Sequence, residues 1–360
     1  MESFSCKTKI IAGAGAISAL EAMKPRRLLL VTDPFFAKNG TAGRIAAASG
    51  AAETEIFDKV RPDPTVELAA EGTALAKKFD PDLIVALGGG SAMDCAKAIT
   101  YFHKGQAKLV AIPTTSGSGS EVTDFAILTH DRVKHPLVDP RLRPDTAILD
   151  STLLEELPRT LIADAGFDIL AHALEAAVAT GAGAVTDCFA REAFSTAFAN
   201  LPASYAGRKE VRLRVHMAAT MAGMAFTQAG LGLCHAMSHA LGGMFHVPHG
   251  RLNAILLPAV ITCNSHAALH SYAKIARAAG ISGAADTVAV RNLKNSLIRL
   301  RRDLELPETL AQAGVEPRQV WAQAGEIVRA ALADPCCATN PVRVDDFVVR
   351  RILEEVTGRV

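Results

Sequence analysis

Aromatic residues are scarce in this chain: one Trp, three Tyr and 14 Phe make up 5% of 360 residues. Small residues take their place, which suits helices packed at close approach. No CxxC pair occurs among the seven cysteines, Cys6, Cys95, Cys188, Cys234, Cys263, Cys336 and Cys337, and their number is odd. A disulfide framework has no support, and the thiols read as free, small hydrophobes in a reducing compartment. Charge of neither sign is in excess: the formal net charge is +1, so no strong field draws nucleic acid or an anionic membrane. No apolar run reaches the ~20 residues of a membrane span. The amino terminus, MESFSCKTKI, lacks the apolar core of a signal peptide. The expectation is a cytoplasmic protein without nucleic-acid or membrane partners. With 49% hydrophobic and 21% charged residues, large cores can be buried. A chain of 360 residues exceeds one comfortable core, so two domains are expected.

In the first half, apolar runs alternate with helical patterns. Arg27 to Thr32, RLLLVT, reads as a buried parallel strand ending at Asp33. A helix over Gly40–Ala51 and a strand over Glu53–Val60 follow, then a proline turn in which Asp63 or Thr65 can cap the next helix. Gly13-Ala-Gly15 lacks the third glycine of a dinucleotide loop and reads as a simple turn. Leu83 to Leu87 is a second buried strand and runs straight into Gly88-Gly89-Gly90-Ser91, with a helix over Ala92–Tyr101 behind it. Strand, glycine loop and helix start form an anion cradle: bare backbone approaches, free N–H groups point outward and the helix dipole favours negative charge. Leu109 to Ile112 leads into PTTSGSGSEVT, Pro113 to Thr123, where hydroxyls and glycines gather at a strand end that would face ligand. Arg132, Lys134 and Asp139-Pro140 suggest a hairpin, and Asp145 to Asp150 a short strand. The order implies an open, mostly parallel α/β domain over residues 1–157.

After Asp150 the period changes to long helices, with Pro158, Pro202, Pro258, Pro307 and Pro317 expected to mark joints. An all-α domain is assigned to residues 158–360, with the site in a cleft between the two. The basic run Arg291 to Arg302 reads as a solvated helix face. Leu231 to Asn253 carries four of the eleven histidines: His235, His239, His246 and His249. His235 and His239 share a helix face one turn apart. Gly242-Gly243 is expected to break or bend that helix, and Pro248 to start a second one that can return His249 toward the pair. Asp168 and His172 repeat the i, i+4 step on an apolar segment, AGFDILAHALEA. One carboxylate and several neutral imidazoles suit a divalent transition metal. Histidines that only satisfy one another are the competing reading. Cys234 projects to another side of its helix and is not counted as a ligand.

Taken together, GGGSAMDCAKA, PTTSGSGSEVT, GFDILAHALEA and the histidine-rich stretch resemble the iron-containing (group III) alcohol dehydrogenases. Within that family, FSCKTKIIAGAGAISAL and AGMAFTQAGLGLCHAMSHALGG resemble the branch found in propanediol- and ethanolamine-utilisation microcompartments. The resemblance implies metal ligands at Asp168, His172, His235 and His249, and places His239 near the reacting centre. It implies a pyrophosphate loop of Gly88, Gly89, Gly90, Ser91 and Asp94, and a second cofactor segment with Thr114, Thr115 and Ser118. Lys134 would approach the cofactor, and Asp33 would meet the adenosine ribose, repelling a 2′-phosphate and favouring NAD(H) over NADP(H). Two departures are Asp63, where several relatives carry Asn, and the short stretch between Tyr101 and Leu109.

The reaction so implied is reversible hydride transfer between nicotinamide and a short primary alcohol or aldehyde, propanal/1-propanol or acetaldehyde/ethanol. Fe²⁺ is the expected ion, although nitrogen and oxygen ligands do not choose sharply between iron and zinc. Met237, Leu241 and Phe245 would supply an apolar wall for a small substrate. Expected partners are a second copy in a homodimer and, inside a microcompartment, an aldehyde dehydrogenase or the shell. With no amphipathic helix ahead of Phe4-Ser5, entry would depend on binding another cargo enzyme. The alternatives are a lactaldehyde or diol reductase, a lyase of the dehydroquinate synthase type, and a non-catalytic scaffold.

Overall fold

Between Arg27 and Thr32 there is no polar alternation, and Leu28 to Thr32 are all buried in the computed structural model, which describes residues 4–131 and 133–358. This strand, β2, lies inside a six-stranded sheet with β1 (Lys9–Gly13), β3 (Glu53–Phe57), β4 (Leu83–Gly88), β5 (Lys108–Pro113) and β8 (Thr146–Asp150). The order is β1-β8-β5-β4-β2-β3, and every pairing is parallel. Successive side chains leave opposite faces of a strand, so β2 feeds two cores. Leu28 and Leu30 pack with Leu20 and with Ala42 and Ile45. Leu29 and Val31 pack on the other face with Ala76, Phe79, Met93 and Ile99. The helices that supply these layers are α1 (Pro34–Lys38), α2 (Thr41–Ala48), α3 (Val66–Phe79) and α4 (Gly90–His103). A two-stranded antiparallel hairpin, β6 (Phe125–His130) with β7 (Val133–Val138), stands apart from the sheet. Arg132 lies outside the described residues.

From β2 the chain first moves outward to β3 and then returns on the other side of β2 as β4. Between β2 and β4 the strand order therefore reverses, and such crevices at the carboxyl ends of parallel strands are where ligands bind. Asp33 follows β2 and Gly88-Gly89-Gly90 follow β4. Local boundaries differ from expectation. The helix expected over Gly40–Ala51 is confined to Thr41–Ala48, and β3 stops at Phe57 rather than Val60. Val60 nonetheless returns to β2, its amide donating to Thr32 O at 3.2 Å. The helix after the glycine loop starts at Gly90, so Gly90 and Ser91 form its first turn.

Ser5–Leu157 forms one compact unit, and a second begins at Pro158 and takes in Phe4, whose ring stacks on Phe189 at 5.4 Å. The second unit is helical: α5 (Arg159–Val178), α6 (Ala184–Tyr205), α7 (Arg212–Ala229), α8 (Leu233–Phe245), α9 (His249–Ala278), α10 (Asp286–Asp303), α11 (Pro317–Ala322), α12 (Ala324–Ala333), α13 (Pro335–Ala338) and α14 (Asp346–Thr357). Helix α5 packs against α6, α7 and α9 and is buried almost all round, as a central helix must be. By length and composition α9 is the one helix among the described residues able to cross a membrane, but 72% of its apolar window is buried against the rest of the fold. It is a core helix.

Several expected joints are not joints. Gly242-Gly243 lies inside α8, which continues to Phe245. The break comes at His246, whose φ of 54° closes the helix in the left-handed region, and α9 then starts at His249 behind Pro248. Pro202 and Pro258 lie within α6 and α9, while Pro158 and Pro317 do mark helix starts. The non-helical residue in α9 is Ala268, not Pro258. The basic run on α10 is not wholly solvated, because Arg301 is buried and donates to Ala254 O at 3.2 Å.

Candidate metal centre and cofactor loop

Asp168, His172 and Glu175 follow one another at i, i+4 and i+7 on α5, so they share one face of a buried helix. Opposite them are His235 on α8 and His249 at the first turn of α9. Asp168 Oδ1 lies 3.8 Å from His172 Nδ1, 3.7 Å from His235 Nε2 and 3.4 Å from His249 Nε2. Ligand atoms bonded at ~2.1 Å to one tetrahedral ion stand about 3.4 Å apart, so a single carboxylate with three imidazoles fits a divalent transition metal here. Donor atoms of Asp168, His172 and His235 all fall within 4.8 Å of one another. The His172 ring is sandwiched between Phe226 and His235, each centroid 4.4 Å away. His249 keeps 37% of its side chain exposed, which leaves the group open on that side.

Neighbouring groups set the direction of these donors. The His235 Nδ1 atom is 2.6 Å from Glu175 Oε2, and both side chains are sealed. A carboxylate on Nδ1 fixes the ring so that Nε2 is the free donor, as metal-ligating histidines require. The same Glu175 accepts from the amides of Cys234 at 2.6 Å and His235 at 3.3 Å, filling the N-terminus of α8, which has no side-chain cap of its own. A Cβ on Gly232 would lie 2.8 Å from Glu175 Oε1, so only glycine fits there. Asn253, fully buried on α9, donates Nδ2 to Asp168 Oδ1 at 2.9 Å and accepts from Ser238 Oγ through Oδ1. Cys234 turns its thiol to the Asn253 carbonyl oxygens rather than to the cluster, in line with its exclusion as a ligand. Asn340 locks the start of α8 from outside: its Oδ1 accepts from Leu233 N at 3.1 Å and from Asn264 Nδ2 at 2.9 Å.

Electrostatics follow from this crowding. Burial would raise the Asp168 carboxyl, but the three surrounding imidazoles outweigh it and hold it well below the ordinary range. Burial would lower His235, and its bonds to Asp168 and Glu175 instead carry it up to about 9. His239 is one turn along α8, its ring stacked on that of His249 at 5.2 Å and 16°. Its Nδ1 meets Asp334 Oδ2 at 2.8 Å. Asp334, Cys336 and His239 form a second group of converging donors. Both Asp334 oxygens are already engaged there, and burial pushes the Cys336 thiol well above its usual value, so this group is a hydrogen-bonded cluster rather than an ion cage. Met237 and Leu241 are fully buried in the helical core and cannot form the expected substrate wall; Phe245 alone of the three is partly exposed.

The first unit gathers the other expected residues at the reversal point of its sheet. Gly88 adopts a φ of 148°, and a Cβ there would lie 2.6 Å from Ala92 Cβ. Thr114 N donates to Gly88 O at 2.9 Å. A Cβ on Gly89 would meet Thr115 Oγ1 at 3.3 Å and one on Gly90 would meet Ser118 Cβ at 3.4 Å, so the two segments line one cradle. Asp33 caps α1, its Oδ1 accepting from Phe35 N at 2.8 Å and Phe36 N at 3.2 Å, and its Oδ2 lies on the Gly88 side. Asp94 departs from the loop role expected of it. It is buried on α4, its Oδ2 accepts from Ile127 N of the hairpin at 3.1 Å, and its Oδ1 has no partner among the described residues. Lys134, on β7, pairs with Asp63 Oδ1 at 2.7 Å. Thr65, not Asp63, caps α3, accepting from Leu68 N at 3.1 Å.

A carboxylate-and-imidazole cluster in a helical unit and a glycine cradle on a parallel sheet suit an enzyme that works with a divalent metal and a phosphate-bearing cofactor. The chain belongs to the iron-containing alcohol dehydrogenase family: the model of that family matches residues 7–151 and the model of its C-terminal part matches residues 162–357. It is an alcohol dehydrogenase of the iron-dependent type. It is 39% identical to 1-propanol dehydrogenase PduQ of Citrobacter freundii, over 99% of this chain and 100% of the relative. To the NADPH-dependent butanol dehydrogenase of Clostridium saccharobutylicum it is 35% identical, over 98% and 97% of the two chains. Among solved structures, the iron-containing alcohol dehydrogenase of Thermococcus thioreducens superposes with a TM-score of 0.90 at 33% identity, covering 98% of each chain. Sulfoacetaldehyde reductase of Bifidobacterium kashiwanohense, solved with NAD⁺, gives 0.88 at 27% identity, again over 98% of both.

Proposed function

We propose that this enzyme interconverts short primary alcohols and aldehydes, with 1-propanol/propanal and ethanol/acetaldehyde as its range, using NAD(H) and Fe²⁺ or Zn²⁺. The observation that carries the reading is the convergence of Asp168 Oδ1 with the nitrogens of His172, His235 and His249 at 3.4–3.8 Å. When bound, the ion supplies Lewis acidity at the substrate oxygen and nicotinamide supplies the redox chemistry. The protein does the rest. Asp168 with three neutral imidazoles leaves the loaded site at a net charge near +1, suited to an oxygen that gains negative charge. Glu175 and Asn253 hold the donors in place, and His239, 30% exposed, relays the proton between substrate oxygen and water. The Gly88–Gly90 cradle with Ser91, Thr114, Thr115 and Ser118 takes the pyrophosphate, and Lys134, paired with Asp63, can be released toward it. Asp33 Oδ2 faces the ribose and favours NAD(H); the NADPH-dependent butanol enzyme is a reason to test this directly.

Likeness to the propanol enzyme supports a small aliphatic substrate. A homodimer working in a bacterial microcompartment and returning NAD⁺ to an aldehyde dehydrogenase is part of the same proposal. The test is anaerobic metal analysis with kcat/KM, using NADH, for acetaldehyde, propanal, butanal, lactaldehyde and succinic semialdehyde. Neighbouring aliphatic aldehydes should differ by about 1–3 kcal/mol per methylene recognised. A preference for the hydroxylated or carboxylated substrates would overturn the short-chain assignment. His249→Ala should lose bound metal and turnover together; full metal occupancy in that variant would remove His249 from the ligand set.

A further inference from the structure

Two histidines on α8 rest their Nδ1 atoms on carboxylates from distant parts of the helical unit, and the two pairs differ in exposure. His235 and Glu175 are each 1% exposed, whereas His239 and Asp334 are 30% and 14% exposed. The first pair is shut off from water and the second is not. Asp334 is itself held: it begins α13, its Oδ1 accepting from Cys336 N at 2.8 Å, which leaves Oδ2 for His239 at 2.8 Å. An ionised carboxylate only accepts, so His239 must donate from Nδ1, and a neutral ring then carries its lone pair on Nε2. Burial works against ionisation of Asp334, but the bonds from His239 and the Cys336 amide hold its carboxyl down at about 2, so it stays charged wherever the enzyme works.

We propose that Asp334 is a positioning residue for proton transfer: it fixes His239 in the Nδ1–H form so that Nε2 exchanges the substrate hydroxyl proton. This rests on the relay role given to His239 above. In alcohol oxidation the O–H bond breaks, its electron pair stays on oxygen and the proton forms Nε2–H. The hydride leaving carbon would be taken up by bound oxidised nicotinamide, and the imidazolium, still bonded to Asp334, returns the proton to water. Aldehyde reduction runs the same steps backward. Exposure of the pair to solvent is what this role needs and what the His235 pair lacks.

Asp334→Asn is the informative variant. Its amide oxygen can keep the Cys336 cap, so α13 is preserved, while its NH₂ group turns to His239 Nδ1 and enforces the opposite tautomer. In the metal-loaded enzyme kcat should fall 10–100-fold, the order of loss typical when a supporting hydrogen bond is removed. KM and metal content should hold. In the zinc-loaded, diamagnetic protein, ¹⁵N NMR should move the His239 proton from Nδ1 to Nε2. Combined with His239→Gln, the second change should cost nothing further, because the two act as a unit. A shifted tautomer with undiminished kcat overturns the proposal, as do losses that multiply in the double variant or metal lost from Asp334→Asn. If His239→Gln is itself as fast as wild type, the relay reading falls and takes this one with it. If His239→Gln is slow and Asp334→Asn is not, only the role of Asp334 falls.

Discussion

At Asp33 the two carboxylate oxygens have separate surroundings: Oδ1 caps α1, and Oδ2 lies on the Gly88 side of the crevice. Glycine replaces an N-cap aspartate at a cost of only a few tenths of a kcal/mol, so Asp33→Gly should fold normally. Its NADP⁺/NAD⁺ ratio of kcat/KM should rise about tenfold or more, as ~1.4 kcal/mol of relieved repulsion would give; an unchanged ratio would place the ribose elsewhere. Asp94 behaves differently. Burial pushes its carboxyl from 3.8 up to about 6, against the partial relief given by Lys97 and the Ile127 amide. The folded state thus binds this proton more tightly than the unfolded one. Its contribution to stability is complete below about 4 and is lost as pH rises through about 6. Asp94→Asn should remove that decline, read as the difference in urea midpoints between wild type and variant across the window; parallel curves would contradict it. The sequence made the donors legible and their supports far less so. Glu175 stood inside AGFDILAHALEA, seven residues after Asp168, and the same face-counting that paired Asp168 with His172 could have found it. Asp334 carried no local signal, because its meaning comes from a partner 95 residues away.

At the level of elements, the buried strands could be read because RLLLVT and LIVAL have no other way to hide so many apolar side chains. The joints in the helical unit were harder. Gly and Pro mark breaks in a local reading, yet Gly242, Gly243, Pro202 and Pro258 lie within helices, and the turn comes at His246, a residue with no breaker chemistry. Glycines in this region therefore have to be judged by what they touch. A Cβ on Gly250 would fall 1.9 Å from Asp164 O, a backbone atom that cannot step aside, whereas one on Gly243 meets nothing within 4 Å. Gly250→Ala should cost about 1–3 kcal/mol by overpacking and loosen metal binding, since the start of α9 carries His249 and Arg251, the latter bonded twice to Asp164. Gly243→Ala should be neutral or stabilise by up to ~1 kcal/mol. Urea unfolding and metal titration of the pair check both, and equal effects would remove the steric account.

For the molecule as a whole, ion and cofactor should leave separate signatures. Ligands stabilise only what they bind, so hydrogen exchange of the intact protein should slow in α5, α8 and α9 on adding Fe²⁺ anaerobically, and around Phe35, Gly89–Ser91 and Thr114–Ser118 on adding NAD⁺. Protection by NAD⁺ confined to the helical unit would contradict the assignment of the glycine cradle. One feature of the helical unit reaches further. All four proposed donors lie at or before His249, but the start of α8 is fastened by Asn340, 107 residues beyond Leu233. A nascent chain with every donor already clear of the ribosome still lacks the clasp that fixes the first turn of α8, on which His235 stands, so iron should be captured after synthesis rather than during it. A protein stopped at residue 333 would keep every ligand and, for want of that clasp, should hold the ion poorly.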